Sequence, residues 1–590
     1  MRVAVVDKER CRSDKCDLVC IRFCPMVRSR LEAIRLEEGK AYVAERLCSG
    51  CGICVRKCPF DALRIVNLPD ELASDRIHRF GPNAFTLYRL PTPRHGAVVG
   101  LIGRNGIGKT TVLRILAGDL TPNLGIFQEP PAGEAVVDFF AGRPLHGYFD
   151  DLYGRRIKVV LKPQYVDRIP EVVSGTVGDI LEGLDERGVL RETAEALEIA
   201  DLFDRKLSIL SGGELQRVAI ATAVCRDADV YLFDEPSSHL DIYQRMRAAR
   251  LIRGLIADGR MVVAAEHDLA VLDYLSEDIY LLYGEPDVYA IVSNIHGVRE
   301  GINIYINGYI PDENIRFRES PIVFHVKPPT APSARGRPLL EWSDLVKAYG
   351  EFELRVEAGE IGEGEVIGIL GKNGIGKTTF IRLLAGAEEP DDGGVSGGKV
   401  EVSYKPQYLS GIFEGTVEEV LKKAAGSKYQ ESWFRAEILG PLHVQRLLER
   451  EVEVLSGGEL QLVAIADCLS RTADIYLLDE PSAFLDVEER LAMARAIRRI
   501  TKMSGVTAFV VEHDIVAQDF IADSLMVFTG EAGHSGSGGR PMKLEEGMNA
   551  FLTDMGVTFR RDPETKRPRV NKEGSKLDRE QKKQGRYYYI

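Results

Sequence analysis

Gly103-x4-Gly108-Lys109-Thr110 and Gly371-x4-Gly376-Lys377-Thr378 both carry the spacing of a loop that cradles phosphates. Glycines let backbone N–H groups approach phosphate oxygens, and a helix starting behind the loop adds its positive end. Lys109 and Lys377 would neutralise β- and γ-oxygens, while Thr110 and Thr378 would ligate Mg²⁺. Gly103, Asn105, Gly106, Gly108 and Thr111, with Gly371, Asn373, Gly374, Gly376 and Thr379, complete the two expected cradles. Asp234 and Asp479 close the apolar runs "VYLFD" and "IYLLD", where a second Mg²⁺ partner belongs. Glu235 and Glu480 follow directly and would polarise the attacking water. Gln164 and Gln407 would sense metal and γ-phosphate, and His267 and His513 sit in "EHD" turns after further apolar strands. The expected chemistry is hydrolysis of a nucleoside triphosphate at two sites.

The sites come in pairs because the chain contains itself twice. "GLIGRNGIGKTTVLRILAG" (100–118) recurs as "GILGKNGIGKTTFIRLLAG" (368–386), and "LSGGELQRVAIA" (210–221) as "LSGGELQLVAIA" (455–466). Ser211–Asp234 and Ser456–Asp479 both span 23 residues. Lys109–Gln164 spans 55 residues against 30 for Lys377–Gln407, so the first copy holds about 25 extra residues. Residues 128–156 contain them and read as two helical pieces split by Gly142 and Pro144, either a docking element or a surface decoration.

To position these residues, "AVVGLIG" and "EVIGILG" must be buried strands feeding glycine turns into helices, and "DVYLFDEP" and "DIYLLDEP" buried strands ending in acids. Such alternation predicts parallel α/β domains. "LSGGELQ" offers Ser211, Gly212, Gly213 and Glu214, and again Ser456, Gly457, Gly458 and Glu459, at a helix start. With the other motifs it resembles the signature of the ATP-binding-cassette superfamily. The resemblance implies two P-loop domains arranged head to tail within one monomer, each ATP held between one copy's loop and the other's signature. Lys109 would then face Ser456, Lys377 would face Ser211, and hydrolysis would require closure of a clamp. Arg217 against Leu462, and "SSHLD" against "SAFLD", argue for unequal rates. Phe80 and Tyr349, 29 and 28 residues before their lysines, resemble the family's adenine-stacking aromatics; Phe85 is a rival, and a core role stays open for each.

Eight of the ten cysteines lie within the first 58 residues. No run of about 18 apolar residues and no apolar export segment is seen, so a cytosolic protein without a membrane span is expected, with metal ligation favoured over disulfides. Cys48, Cys51, Cys54 and Cys58, followed by Pro59, resemble the bacterial ferredoxin [4Fe–4S] run, and Cys11, Cys16, Cys20 and Cys24 precede Pro25 in a looser one. In two-cluster ferredoxins the last cysteine of each run crosses over. That implies one cluster on Cys11, Cys16, Cys20 and Cys58, and another on Cys24, Cys48, Cys51 and Cys54. Zinc on four cysteines is the alternative. Cys225 and Cys468 read as buried thiols.

The net charge of −13 argues against wrapping nucleic acid with the whole surface. The ends differ: residues 1–60 hold 13 Lys/Arg against 8 Asp/Glu, and 560–586 hold 11 against 5, which suits local contact with phosphate-rich surfaces. The organisation read from sequence is a ferredoxin-like unit (1–72), a first nucleotide-binding domain (73–292), a hinge (293–335), a second nucleotide-binding domain (336–535), and a C-terminal hinge with a frayed basic tail (536–590). This combination resembles subfamily E of the ATP-binding-cassette proteins, the ribosome-recycling family also called ribonuclease L inhibitors. The resemblance implies a cytoplasmic, Mg²⁺-dependent ATPase that splits ribosomes after termination or rescue and stays on the small subunit. Partners implied are that subunit and its RNA, a release-factor-like protein, and initiation factors. Family proteins grip ribosomal RNA with the insertion and hinges and swing the iron–sulfur unit as a lever. An ATP-gated electron-transfer protein is the rival reading, and a soluble transporter subunit a weaker one.

Overall fold

The computed structural model describes residues 2–8, 10–60, 62–67, 74–81, 84–128, 130–324, 338–396, 400–409 and 411–588. The second repeat has one large sheet, beside a smaller one of Gly359–Gly362, Pro338–Trp342 and Val395–Ser396. The order of the large sheet is Leu345–Tyr349, Phe352–Val356, Ser535–Gly538, Ser524–Glu531, Val366–Leu370, Thr507–Val511, Ile475–Asp479 and Val402–Lys405, with Met542–Lys543 beside Ser524. The four strands from Val366–Leu370 to Val402–Lys405 are parallel. Every residue of Val366–Leu370, Ile475–Asp479 and Thr507–Val511 is buried, because helices cover both faces of a parallel sheet. The first repeat has the same plan in two pieces, joined where the Glu266 N–H donates to the Leu101 oxygen at 3.2 Å. One piece runs Met261–Ala265, Val230–Asp234, Val159–Lys162; in the other, Ala97–Ile102 lies beside Asp278–Glu285. The expected parallel α/β architecture is what forms.

The extra residues of the first repeat fold as the helices Gly133–Phe139 and His146–Tyr153. Val136, Phe140, Leu145 and Phe149 are buried in the core beneath the first phosphate loop, and the Tyr148 hydroxyl donates to the Leu116 oxygen at 2.6 Å. The inner face of the pair is therefore core, and only its outer face is available for docking.

Two expected boundaries fall inside paired strands. Tyr289–Gly297 pairs with Asp278–Glu285 and so belongs to the first nucleotide-binding domain; the hinge starts at the helix Val298–Asn307, not at 293. Ser535–Gly538 completes the second domain's sheet, and the C-terminal segment starts at the helix Leu544–Met555. The tail is not frayed: it forms the helix Lys576–Gln584 and buries Tyr588 at 3% exposure. The 72/73 and 335/336 boundaries lie outside the described residues.

The hinges are part of the packing between the domains. One continuous apolar core includes Leu272 of the first domain, Tyr305 and Ile306 of the hinge, Phe551 of the C-terminal segment, and Val487 and Ile515 of the second domain. The small N-terminal unit has two antiparallel ribbons, Arg2–Val6 with Leu63–Asn67 and Ile34–Glu37 with Lys40–Val43, around a core that includes four of its cysteines.

Candidate active site

Each phosphate loop runs from a buried strand into a helix, Lys109–Ala117 or Lys377–Leu384, whose first turn carries both threonines. Gly108 at φ 94° and Gly376 at φ 90° cap these helices in the left-handed region, where glycine is unstrained. A Cβ on Gly108 would lie 2.5 Å from the Phe85 ring. Lys109 is buried, and its ammonium donates to the Gly103 and Arg104 oxygens at 3.0 Å each. Lys377 donates to the Gly371 oxygen at 2.8 Å. Burial lowers both lysine pKa values, against the pull of acids nearby. Each cation thus sits inside its loop before any phosphate arrives.

Asp234 and Asp479 are buried, and Oδ1 of each has no hydrogen-bond partner. A buried carboxylate oxygen left alone is costly, and a divalent cation satisfies it. Thr378 Oγ1 donates to Asp479 Oδ2 at 2.7 Å, and Thr110 Oγ1 lies 3.5 Å from Gln164 Oε1. The sets Thr110, Gln164, Asp234 and Thr378, Gln407, Asp479 therefore fit Mg²⁺, which would complete its shell with water and phosphate oxygens.

Glu235 and Glu480 occupy the left-handed region at φ 46° and 45°, uncommon for a residue with a Cβ. Gln164 Nε2 donates to Glu235 Oε1 at 2.7 Å, and Gln407 Nε2 to Glu480 Oε1 at 2.8 Å. Each glutamine thus joins the set that fits Mg²⁺ to the neighbouring glutamate. His267 Nε2 lies 3.2 Å from Glu235 Oε1, and His513 Nε2 3.3 Å from Glu480 Oε1. Neither imidazole nitrogen is aligned for a hydrogen bond there. Burial by itself would raise both carboxyls; His513 and Lys377 override it and hold Glu480 down to about 2, and His267 and Lys109 act likewise on Glu235, which lies well below the usual range. Both are ionised, as a group that activates water must be.

Ser211 and Ser456 N-cap the helices Gly212–Cys225 and Gly457–Ser470 with complete capping boxes. The Ser211 hydroxyl donates to Glu214 Oε2 at 2.8 Å, and the Ser456 hydroxyl to Glu459 Oε2 at 3.0 Å. Glu214 and Glu459, expected against nucleotide, accept from these cap serines. Arg217 points away from the site, donating to the Leu197 and Glu198 oxygens at 2.9 and 2.6 Å, while its counterpart Leu462 is core.

The two repeats meet head to tail. The Asn105 N–H donates to Asp486 Oδ2 at 3.1 Å, and reciprocally the Asn373 N–H donates to Asp241 Oδ2 at 2.9 Å. His239 and Phe484, the differing residues of "SSHLD" and "SAFLD", meet edge to face at 5.6 Å across the same seam. Each loop therefore touches the segment that follows the other repeat's base.

None of the eight cysteines of the N-terminal unit is joined in a disulfide. Burial pushes Cys20 up to about 11, and the sulfurs beside it are those of Cys16, Cys11 and Cys58. Burial pushes Cys54 up to about 12, with Cys48, Cys51 and Cys24 beside it. These are the two crossed sets implied by the ferredoxin resemblance. Amide N–H groups of Ala4 and Gly50 lie 3.4 Å from Cys48 Sγ, and those of Ala41 and Ala62 lie 3.4 Å from Cys11 and Cys58 Sγ. Amides aimed at sulfur stabilise thiolate ligands. Four-cysteine sets with amides aimed at their sulfurs fit iron–sulfur clusters.

A family model described as ABC transporter matches residues 92–238 and 356–483. A 4Fe-4S binding domain matches 41–64, and a possible Fer4-like domain in RNase L inhibitor matches 1–30. The Saccharomyces cerevisiae protein named translation initiation factor RLI1 is 44% identical over 598 residues, covering 100% of this chain and 98% of that one. ABC transporter E family member 1 of Arabidopsis thaliana is also 44% identical, covering 100% and 99%.

The chain belongs to subfamily E of the ATP-binding-cassette proteins, the RNase L inhibitor family.

A solved structure described as a model of ribosome-bound archaeal Pelota and ABCE1 shares 52% identity with this subfamily E chain, covering 100% of it and 99% of the other, with a TM-score of 0.93. The crystal structure of archaeal ribosomal stalk protein aP1 with archaeal ribosome recycling factor aABCE1 shares 53%, covering 88% and 100%, with a TM-score of 0.85. This subfamily E protein is an ATP hydrolase that uses ATP with Mg²⁺ and carries an iron–sulfur domain. Among the described residues no helix is long and apolar enough to cross a membrane.

The aromatics separate into two kinds. Phe85 supports the loop at Gly108, and Phe352, not singled out from sequence, does the same at Gly376, where a Cβ would lie 3.1 Å from its ring. Its signal was available: Phe85 precedes Lys109 by 24 residues and Phe352 precedes Lys377 by 25. Phe80 and Tyr349 are about half exposed, and the Tyr349 hydroxyl donates to Glu388. Asp241 and Asp486 also went unnoticed in sequence, although both repeats place them at the end of the differing pentapeptides.

Proposed function

We propose that this ATPase recycles ribosomes in the cytoplasm: ATP-driven closure of the twin domains moves the iron–sulfur unit to separate the subunits, and the protein then stays on the small subunit. The observation that carries the reading is the reciprocal seam between the repeats, because it makes the two ATP sites and the separation of the domains a single event. Glu235 and Glu480 activate water, Lys109 and Lys377 balance charge developing on the γ-phosphoryl group, and Ser456 and Ser211 close on the opposite nucleotide.

The N-terminal unit is placed to follow that motion. Arg79 pairs with Glu45 and Arg64 with Glu285 at 2.9 Å, tying it to the first domain, while Arg10 Nη2 donates to the Arg446 oxygen of the second at 3.0 Å. Relatives named for ribosome recycling and ribosome-bound Pelota support a ribosomal partner, and the small subunit, a release-factor-like rescue protein and initiation factors are proposed with it. With a nonhydrolysable ATP analogue the protein should co-sediment with small ribosomal subunits. Retention in the unbound or membrane fraction instead would end the proposal.

Two [4Fe–4S] clusters are proposed on the crossed cysteine sets. Cys24→Ser should then remove about half of the bound iron and sulfide, as should Cys58→Ser, because each breaks one four-cysteine set. Loss of all iron in both variants, or of none, contradicts two independent sets.

A further inference from the structure

The backbone of each base is held in an unfavourable conformation, and something must keep it there. A left-handed residue with a Cβ is strained and persists only where its surroundings fix it. Here the fixing groups are specific. Lys162 Nζ donates to the Asp234 oxygen at 2.9 Å and to the Glu235 oxygen at 3.3 Å. Gln216 Nε2 donates to the same Glu235 oxygen at 2.7 Å. The second repeat reproduces the arrangement: Lys405 Nζ donates to the Asp479 and Glu480 oxygens at 2.7 and 3.2 Å, and Gln461 Nε2 to the Glu480 oxygen at 2.7 Å.

Both lysines are 1% exposed. A core that needed only filling would hold an aliphatic chain there, because taking an ammonium out of water is expensive. Each lysine instead directs its charge at two carbonyls of the strand end that carries metal ligand and base. Each lies two residues before the glutamine that bonds the base carboxylate, and each glutamine partner lies five residues after a signature serine.

We propose that Lys162 and Lys405 are positioning residues for hydrolysis, fixing the Glu235 and Glu480 peptides so that each carboxylate aims at the attacking water. The shared carbonyl also joins the glutamine strand, the base and the signature helix of one repeat. Because that signature serves the opposite ATP, seating of one nucleotide is transmitted to the base of the other site. The inference rests on Glu235 and Glu480 being the bases.

The test uses the full-length chain carrying K162M and K405M together, a change that keeps length and removes charge. Turnover should fall about ten- to hundredfold, the loss expected for a base displaced by a fraction of an ångström to an ångström. KM for ATP and affinity for a nonhydrolysable analogue should stay within about twofold, since ground-state binding is untouched. Turnover within about twofold of the unaltered protein, or a KM that rises in step with the loss, overturns the proposal. If the lysine variant does not fold, Gln216→Met with Gln461→Met removes the second donor to the same carbonyls, and the same two outcomes decide. The paired E235Q and E480Q variant separates the readings: if it retains turnover, the base assignment fails, whatever the lysines do.

Discussion

Replacing Glu235 and Glu480 together with Gln should lower ATP turnover by about 10²- to 10⁴-fold, the range expected when a positioned general base is lost. The substitution keeps the shape that receives the Gln164 and Gln407 amides and removes only the charge that His267 and His513 face. Lys109, Lys377 and the two threonines are unchanged, so ATP should remain bound and the paired domains should accumulate in the nucleotide-held state. Single variants will report the inequality of the sites. The surroundings of the two bases agree closely, so a large asymmetry would have to arise at the seam, where His239 faces Phe484. Normal turnover in the double variant would remove both residues as bases.

Asp273→Ala should destabilise the protein by about 3–5 kcal/mol, the cost of leaving buried charge unpaired. Asp273 accepts from Arg569 Nε and Nη2 at 2.7 Å each and from Arg567 Nη1 at 3.2 Å, and Arg567 is fully buried. Burial alone would raise the Asp273 carboxyl, but Arg567 and Arg569 hold it below its ordinary value. Its stabilisation is therefore complete above the unfolded value near pH 4 and is lost as pH falls through the lower folded value. The twofold-related Asp519, five residues past Asp514 as Asp273 is past Asp268, accepts from Arg561 at 2.6 and 2.7 Å and from the Tyr588 hydroxyl. One C-terminal segment thus pins equivalent helices of both domains. Denaturant unfolding of the full chain, with proteolysis of the C-terminal segment as a local readout, measures the loss. Asp273→Leu combined with Arg567→Met and Arg569→Met should recover most of it, because apolar residues of similar volume can replace a buried ion cluster. A loss below about 1 kcal/mol for Asp273→Ala would mean that water reaches the arginines.

Much of the candidate site was legible because its chemistry is local. A phosphate loop needs glycines, a lysine and a hydroxyl within eight residues, and two copies in the same order made the duplication plain. The cysteine-rich unit was legible for a similar reason, since its two Cys-Pro endings resemble those of ferredoxins. Glu214 and Glu459 show that one helix start can carry both a signature and a capping box, since a carboxylate three residues past a serine suits the cap. The tail misled because its basic composition suggests fraying, whereas its arginines meet Asp273 and Asp519 about 300 and 40 residues earlier.

By itself the sequence determined the two nucleotide-binding domains and the cysteine-rich N-terminal unit, since each is announced by motifs whose residues lie close along the chain. Only the tertiary structure decided what holds them: Lys162 and Gln216 converging on the Glu235 carbonyl, Phe352 beneath its loop, and a C-terminal segment clamped to both domains. Those contacts join groups tens to hundreds of residues apart, where partners are chosen by burial and by the need to satisfy buried charge, and no spacing along the chain records that choice.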